Sequence, residues 1–139
     1  MIGETLHEPY MEACGNAVIA RGVEINGLQT TNDPIRAGVL HLGDPNEAPG
    51  DRLFYWDEER GWAYSRCVPG ESPFDVVDKM TWFGDRVLPT PEQLAELVAT
   101  LLGGAKLMTS FIGPDFRRAG DDDGLETYLA HYATALEVA

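Results

Sequence analysis

Three sets of side chains in this sequence have the types that chemistry requires. They are the run Asp57-Glu58-Glu59, the run Asp121-Asp122-Asp123-Gly124-Leu125-Glu126, and the dispersed His7, His41 and His131 with Cys14 and Cys67. Neighbouring carboxylates serve as general acid and base, or hold a cation, when at least one lies in a cleft that shifts its pKa. Asp57-Glu58-Glu59 instead sits between two aromatic-rich runs and ahead of Arg60-Gly61, the composition of a polar hairpin tip. Turn residues are therefore the favoured reading of these three. The second run is acidic enough for calcium but lacks the register of a calcium loop, which alternates oxygen ligands over about 12 residues with Gly at the sixth. An acidic helix start, favourable to the helix dipole, explains it better.

The histidines form neither H-x-x-x-H nor H-E-x-x-H, so a metal or catalytic role would need a convergence in space that the sequence does not show. The two cysteines lie far apart, with no C-x-x-C or Cys/His ligand spacing. A Cys67–His nucleophile pair would arise only by tertiary coincidence. No nucleophile elbow, Walker loop or dinucleotide fingerprint is present in the 139 residues. The expectation is a protein that is not an enzyme, with no catalytic residue, no metal ligand and no cofactor.

Composition narrows the partners. Ten Lys and Arg against 23 Asp and Glu leave a net charge of −13, which keeps a chain soluble and repels nucleic acid and anionic membrane. Such a surface suits a basic protein. No stretch approaches the roughly 18 apolar residues of a membrane span, and the start Met-Ile-Gly-Glu-Thr-Leu-His-Glu lacks the basic, then apolar, pattern of a signal peptide. With two widely spaced cysteines, reduced thiols and a cytoplasmic location are the simplest expectation.

The elements that must hold these residues follow from periodicity. Thr5 and Glu8 have capping-box spacing, Pro9 is tolerated in a first turn, and Tyr10, Cys14, Ala17, Val18 and Arg21 recur at helical spacing up to Gly22. Gly15 weakens that helix but permits close packing on a sheet. Extended segments are predicted at 23–28, 37–42, 53–56, 62–66 and within 74–83, of which 80–83 is the best part. Leu53 to Arg66 reads as a β-hairpin. Thr90, Pro91 and Gln93 start a helix whose stripe is Leu94, Leu97, Val98, Leu101 and Leu102, closed by Gly103-Gly104. A last amphipathic helix carries Leu125, Tyr128, Leu129, Tyr132 and Leu136.

This order predicts a two-layer α+β fold, an antiparallel sheet of about five strands with N-terminal and C-terminal helices packed on it. Residues 1–104 form the core domain. Residues 105–139 are a C-terminal extension with an amphipathic helix, packed on the core or on a partner.

The hairpin aromatics supply the candidate contact residues. Side chains alternate across a strand, which sets Phe54 and Trp56 against Leu53 and Tyr55, pairs Trp62 with Tyr64, and pairs Met80 with Trp82. A central sheet apolar on both faces needs a cover on each, since a Trp or Tyr buries about 150–250 Å². The tail, a second copy of the chain or a partner could provide it. Phe54, Trp56, Trp62, Tyr64 and Trp82 are the predicted binding residues.

Trp56-Asp57-Glu58-Glu59-Arg60-Gly61-Trp62, followed by Gly84-Asp85-Arg86-Val87-Leu88-Pro89-Thr90-Pro91 and a Leu-rich helix, resembles a family of small actinobacterial proteins of unknown function. That family is marked by a W-D-E-x-x-G-W hairpin and an L-P-x-P lead into a helix. The resemblance covers roughly residues 7 to 104 and implies a fold, with no activity attached. Phe83 stands where the family often has the first Gly of G-G-D-x-L-P-x-P, so the turn there is expected to differ.

The functional expectation is a non-catalytic protein-binding or regulatory module, acting on another protein or on a second copy as a homodimer. Two alternatives stay open: an acidic decoy that mimics nucleic acid and occupies a basic protein, and a secretion-chaperone-like holder of an unfolded segment.

Overall fold

A computed structural model describes residues 6–32, 35–42, 51–67, 80–84, 86–102, 109–110 and 115–138. The first helix, α1, runs from Glu8 to Ala20. His7 is its N-cap and makes no side-chain cap, so Glu8 opens the helix and is not the third residue of a capping box. Thr5, the other half of that expectation, lies outside the described residues, as do the first part of the extended candidate at 74–79 and Gly103-Gly104.

Among the described residues six strands follow in spatial order β1-β2-β3-β4-β5-β6, every neighbouring pair antiparallel: β1 (Ile25–Thr31), β2 (Ala37–Leu42), β3 (Asp51–Asp57), β4 (Gly61–Cys67), β5 (Thr81–Phe83) and β6 (Thr109–Ser110). Helix α2 (Pro91–Leu102) lies between β5 and β6 in sequence, and α3 (Leu125–Val138) ends the chain. This is the expected α+β meander. Strict alternation through β1 is broken, because pairing shifts by one residue between Ile25 and Gly27. The extra residue, Asn26, makes a bulge that brings Leu28 onto the face of Ile25, where both pack against the core.

All three helices share one face of the sheet. Tyr10, Met11, Cys14 and Val18 of α1, Leu94, Ala95 and Val98 of α2, and Leu125 and Leu129 of α3 close over Leu40, Leu42, Phe54, Trp56, Trp62 and Phe83. Helix α1 sits tightly on β2, since a methyl group on Gly38 would lie 2.6–2.8 Å from Met11. Gly15 faces Leu40 across the same contact, in line with its expected role. The other face gathers Ala37, Val39, Leu53, Tyr55, Ala63, Met80 and Trp82, all buried within the single chain. The α2 start is a reciprocal capping box. The Thr90 backbone N–H donates to Gln93 Oε1 at 2.9 Å, and the Gln93 N–H donates to Thr90 Oγ1 at 3.1 Å. Among the described residues, no helix is long and apolar enough to cross a membrane.

Candidate functional site

Asp57-Glu58-Glu59 does occupy the β3–β4 turn, but two of the three are not the solvated tip residues that composition suggests. Asp57 is wholly buried and Glu58 almost so. Asp57 Oδ1 accepts the backbone N–H groups of Glu59 and Arg60 at 2.9 and 2.6 Å, folding the turn around its own carboxylate. Its Oδ2 accepts from the Tyr55 hydroxyl and from Arg60 Nε. Arg60 in turn lies over the Trp82 ring, 5.0 Å from its centroid. Gly61 closes the turn at φ +81°, a backbone region where a side chain is strained, and a methyl group there would meet the Arg86 carbonyl oxygen at 3.2 Å.

Glu58 is the centre of an ion-pair network that joins distant segments. It accepts from the Arg36 backbone N–H at 2.6 Å and from Arg117 Nη1 at 3.2 Å, with Arg36 Nη1 at 3.5 Å. Arg117 also donates to the Glu58 and Asp121 carbonyl oxygens and grips both Asp123 oxygens, at 2.6 and 3.1 Å. That grip holds the Asp123 carboxyl below the usual carboxylate range. Arg36 reaches Glu126 at 3.1 Å. Phe116 N–H and Ala119 N–H donate to Glu59, so residues 116–126 are fastened along the hairpin turn. Every carboxylate in this network is committed to a structural partner, and no described group of three or more His, Cys, Asp and Glu could hold a metal. Periodicity misses the network, because the pairs that Glu58 and Arg36 make span 22 to 90 positions. Its one signal is Arg117-Arg118, a basic pair within an acidic tail.

The histidines do not converge. His7 is in the core, stacked on Trp56 at 6.0 Å, with Nε2–H donating to the Ala37 carbonyl oxygen at 3.0 Å. Burial lowers its pKa, and in the neutral ring Nδ1 has no hydrogen-bond partner. His41 pairs with Gln29 on the sheet, and His131 stands edge-on to Tyr132 on α3. Cys14 is a buried free thiol whose pKa is pushed up by burial, which keeps it unreactive. The Cys67 side chain is outside the described residues.

The five predicted contact aromatics are divided between the faces. Phe54, Trp56 and Trp62 lie under the helices and Tyr64 packs half-buried beside them, whereas Trp82 belongs to the opposite face. Four of the five are at most 3% exposed in the single chain. Alternation correctly assigned their sides, but an open aromatic face needs exposure they lack. Two of these rings have another task. Trp56 Nε1–H donates to the Val87 carbonyl oxygen at 2.7 Å, and Trp62 Nε1–H donates to the Tyr10 hydroxyl, which donates to the Pro89 carbonyl oxygen at 2.6 Å. They fix residues 86–90 to the sheet.

That fixed segment forms one wall of a cleft of about 410 Å³. Val87, Leu88, Thr90 and Gln93 face Leu125, Tyr128 and Tyr132 of α3, with Arg86 and Asp123 also lining it. A volume of a few hundred Å³ admits several side chains or a small molecule. Tyr128, expected within the buried stripe of α3, is 65% exposed and forms part of this wall. A smaller hollow lined by Arg86, Pro89, Gln93, Glu96, Leu97 and Thr100 adjoins it along α2. The exposed carboxylates Asp123 and Glu96 line the first and the second of these hollows. The polar groups suit recognition. Among the described residues that line the cleft there is no histidine or cysteine.

The comparisons with known proteins add a family and no activity. Residues 10–100, well over half of the chain, match the model of DUF6292, a family of unknown function, and the chain belongs to that family. No curated protein and no solved structure matches it.

Proposed function

We propose that this member of the DUF6292 family is a non-catalytic protein-binding or regulatory module that receives a basic, partly apolar segment of another protein in the cleft between residues 86–93 and α3. One observation carries the reading: a cleft of about 410 Å³ with Val87, Leu88, Leu125 and the exposed Tyr128 on its walls, in a chain of net charge −13. Apolar walls supply affinity once water leaves, and the surrounding carboxylates speed the approach of a cationic segment. Holding an unfolded segment, as a secretion-type chaperone does, would use the same cleft. An acidic decoy needs a flat charged flank and no hollow, so the cleft favours the binding module over it. The proposed setting is the cytoplasm.

Affinity capture from the native host tests this, with the intact chain and its Tyr128→Ala variant as paired baits. The expected partner is basic. It is retained by the wild type, weakened about tenfold or more by Tyr128→Ala, and released as salt rises to about 0.5 M, where charges are screened within a few ångströms. Partners that bind both baits equally, or that hold more tightly in salt, refute the cleft as their site.

A further inference from the structure

The cleft between residues 86–93 and α3 continues past Gln93. Arg86 and Gln93 line both the cleft and the adjoining hollow of about 310 Å³, so the two share a boundary. Beyond it, Glu96, Leu97 and Thr100 extend the stripe that Gln93 begins on α2, at helical spacing. Three charged side chains belong to the two linings: Arg86, Asp123 and Glu96. Arg86 has an interaction of its own within the chain, and both Asp123 oxygens are held by Arg117. Glu96 differs. It is exposed, and among the described residues its carboxylate has no hydrogen bond or ion pair. Helix α2 contains no Lys, Arg or His that could reach it from a neighbouring turn.

Resting on the reading of the cleft as a site for a basic, partly apolar segment, we propose that Glu96 is its specificity-determining residue. The segment runs extended from the cleft into the second hollow. It sets an apolar side chain among Val87, Leu88, Leu125 and Tyr128 and pairs a Lys or Arg with Glu96. Spacing follows from the helix. From the middle of the cleft's contacts at Thr90 and Gln93 to Glu96, α2 rises about 7 Å at about 1.5 Å per residue. Two residues of an extended chain cover about 6.6 Å and bring a side chain back to the same face. The occupant is therefore a peptide of the pattern apolar–neutral–basic, in either chain direction. Its middle residue passes Arg86 at the boundary, where a cation would be repelled. Charge sets the sign at the last position: Arg86 and Asp123 are already engaged, and the unpaired Glu96, in a chain of −13, is left for a cation.

Selection by the full-length chain from a defined peptide library tests this. The probes are capped nonapeptides with Leu or Ser at the centre, one Arg moved through every other position, and uncharged residues elsewhere. At about 0.05 M salt, where exposed charges are weakly screened, the chain is expected to favour Leu over Ser. Among the Leu peptides it should favour Arg two positions from the centre by about fivefold, the effect of a good exposed ion pair. Glu96→Gln is expected to abolish that Arg preference, and Glu96→Lys to transfer it to Asp in a matched Asp library. Both variants alter an exposed position and should keep the Leu preference and the thermal transition. Glu92→Gln removes the same charge from α2 outside both linings and should change nothing. A chain that favours Leu but takes Arg equally at every position overturns the role of Glu96 and leaves the cleft reading standing. So does an Arg preference that survives Glu96→Gln or falls equally in Glu92→Gln. Arg favoured three or four positions away marks a helical ligand and overturns the extended pairing. No preference for Leu over Ser overturns the cleft reading and this inference with it.

Discussion

Replacing Arg117 by Ala probes the connection between the tail and the hairpin turn. The guanidinium is 4% exposed and faces Glu58, also 4% exposed, at 3.2 Å. Removing one member of a buried ion pair typically costs about 3–5 kcal/mol, because the other charge stays in a site with little water. Glu58 keeps Arg36, whose backbone N–H lies at 2.6 Å, so the lower end of that range applies, about 3 kcal/mol. Asp123 is well solvated and contributes nothing to that figure. Urea unfolding followed by fluorescence of the three Trp reads the loss directly. With a denaturant slope of about 1.5–2 kcal/mol/M, the midpoint falls by roughly 1.5–2 M. Arg118→Ala is the control, since Arg118 is exposed and both of its described bonds, to Asp121, are made by the backbone; it should stay within about 0.5 kcal/mol of wild type. An Arg117→Ala loss below about 1 kcal/mol, or one equal to the control, refutes the claim that this network anchors residues 116–126.

Four further outcomes follow from the structure. Burial lowers the His7 pKa, so below about pH 6.5 the unfolded chain takes up a proton that the folded one refuses. Stability should therefore fall with falling pH from that point by up to about 1.4 kcal/mol per unit, and His7→Gln should flatten the slope in denaturation curves taken at several pH values. Asp123, hydrogen-bonded by Arg117, and Glu126, hydrogen-bonded by its own backbone N–H and by Arg36, have lowered pKa values. Their contribution is complete above about pH 4–4.5 and is lost as pH falls through the folded values, a second decline that Arg117→Ala should reduce. Gly38→Ala places a methyl group 2.6–2.8 Å from Met11 and should destabilise by about 1–3 kcal/mol; Met11→Ala in the same chain should cost less than the sum of the single changes, as a double-mutant cycle would show. Gly61 and Gly22 have similar positive φ, +81° and +87°, but only Gly61 is hemmed in, by Arg86 O at 3.2 Å. Gly61→Ala should thus lower the melting temperature clearly more than Gly22→Ala, and equal losses would mean that backbone strain alone sets the cost.

Local features of this chain were legible because they depend on near neighbours. Thr90-Pro91-Glu92-Gln93 specifies its capping box from four consecutive residues, and the period of two in β3 places Phe54 and Trp56 opposite Leu53 and Tyr55. The misreadings arise where a partner far along the chain decides. Asp57 and Glu58 look like polar turn residues until Arg60, Arg36 and Arg117 meet them, and nothing near His7 in sequence decides between surface and core until Trp56 and Ala37 enclose it. Tyr128 follows the apolar period of α3, yet it points past Leu125 and Leu129 into the cleft, because the buried stripe is narrower than the sequence suggests. The β1 bulge was invisible for a related reason: one inserted residue reverses sidedness without changing composition.

The W-D-E-x-x-G-W run is best understood as a junction. Trp56 ties the start of α2 to the sheet through the Val87 carbonyl, and Trp62 does so through Tyr10 and Pro89. Asp57 folds the turn, and Gly61 leaves room for residues 86 and 87 to cross it. Glu58 reaches outward along the chain, to Arg36 on one side and Arg117 on the other. Trp56, Asp57, Gly61 and Trp62 thus build the wall of the cleft formed by residues 86–90, and Glu58 holds the segment that leads into α3, its opposite wall. The aromatic residues that a sequence reader would choose as the contact surface act one layer beneath it. They set the shape of the cleft without lining it.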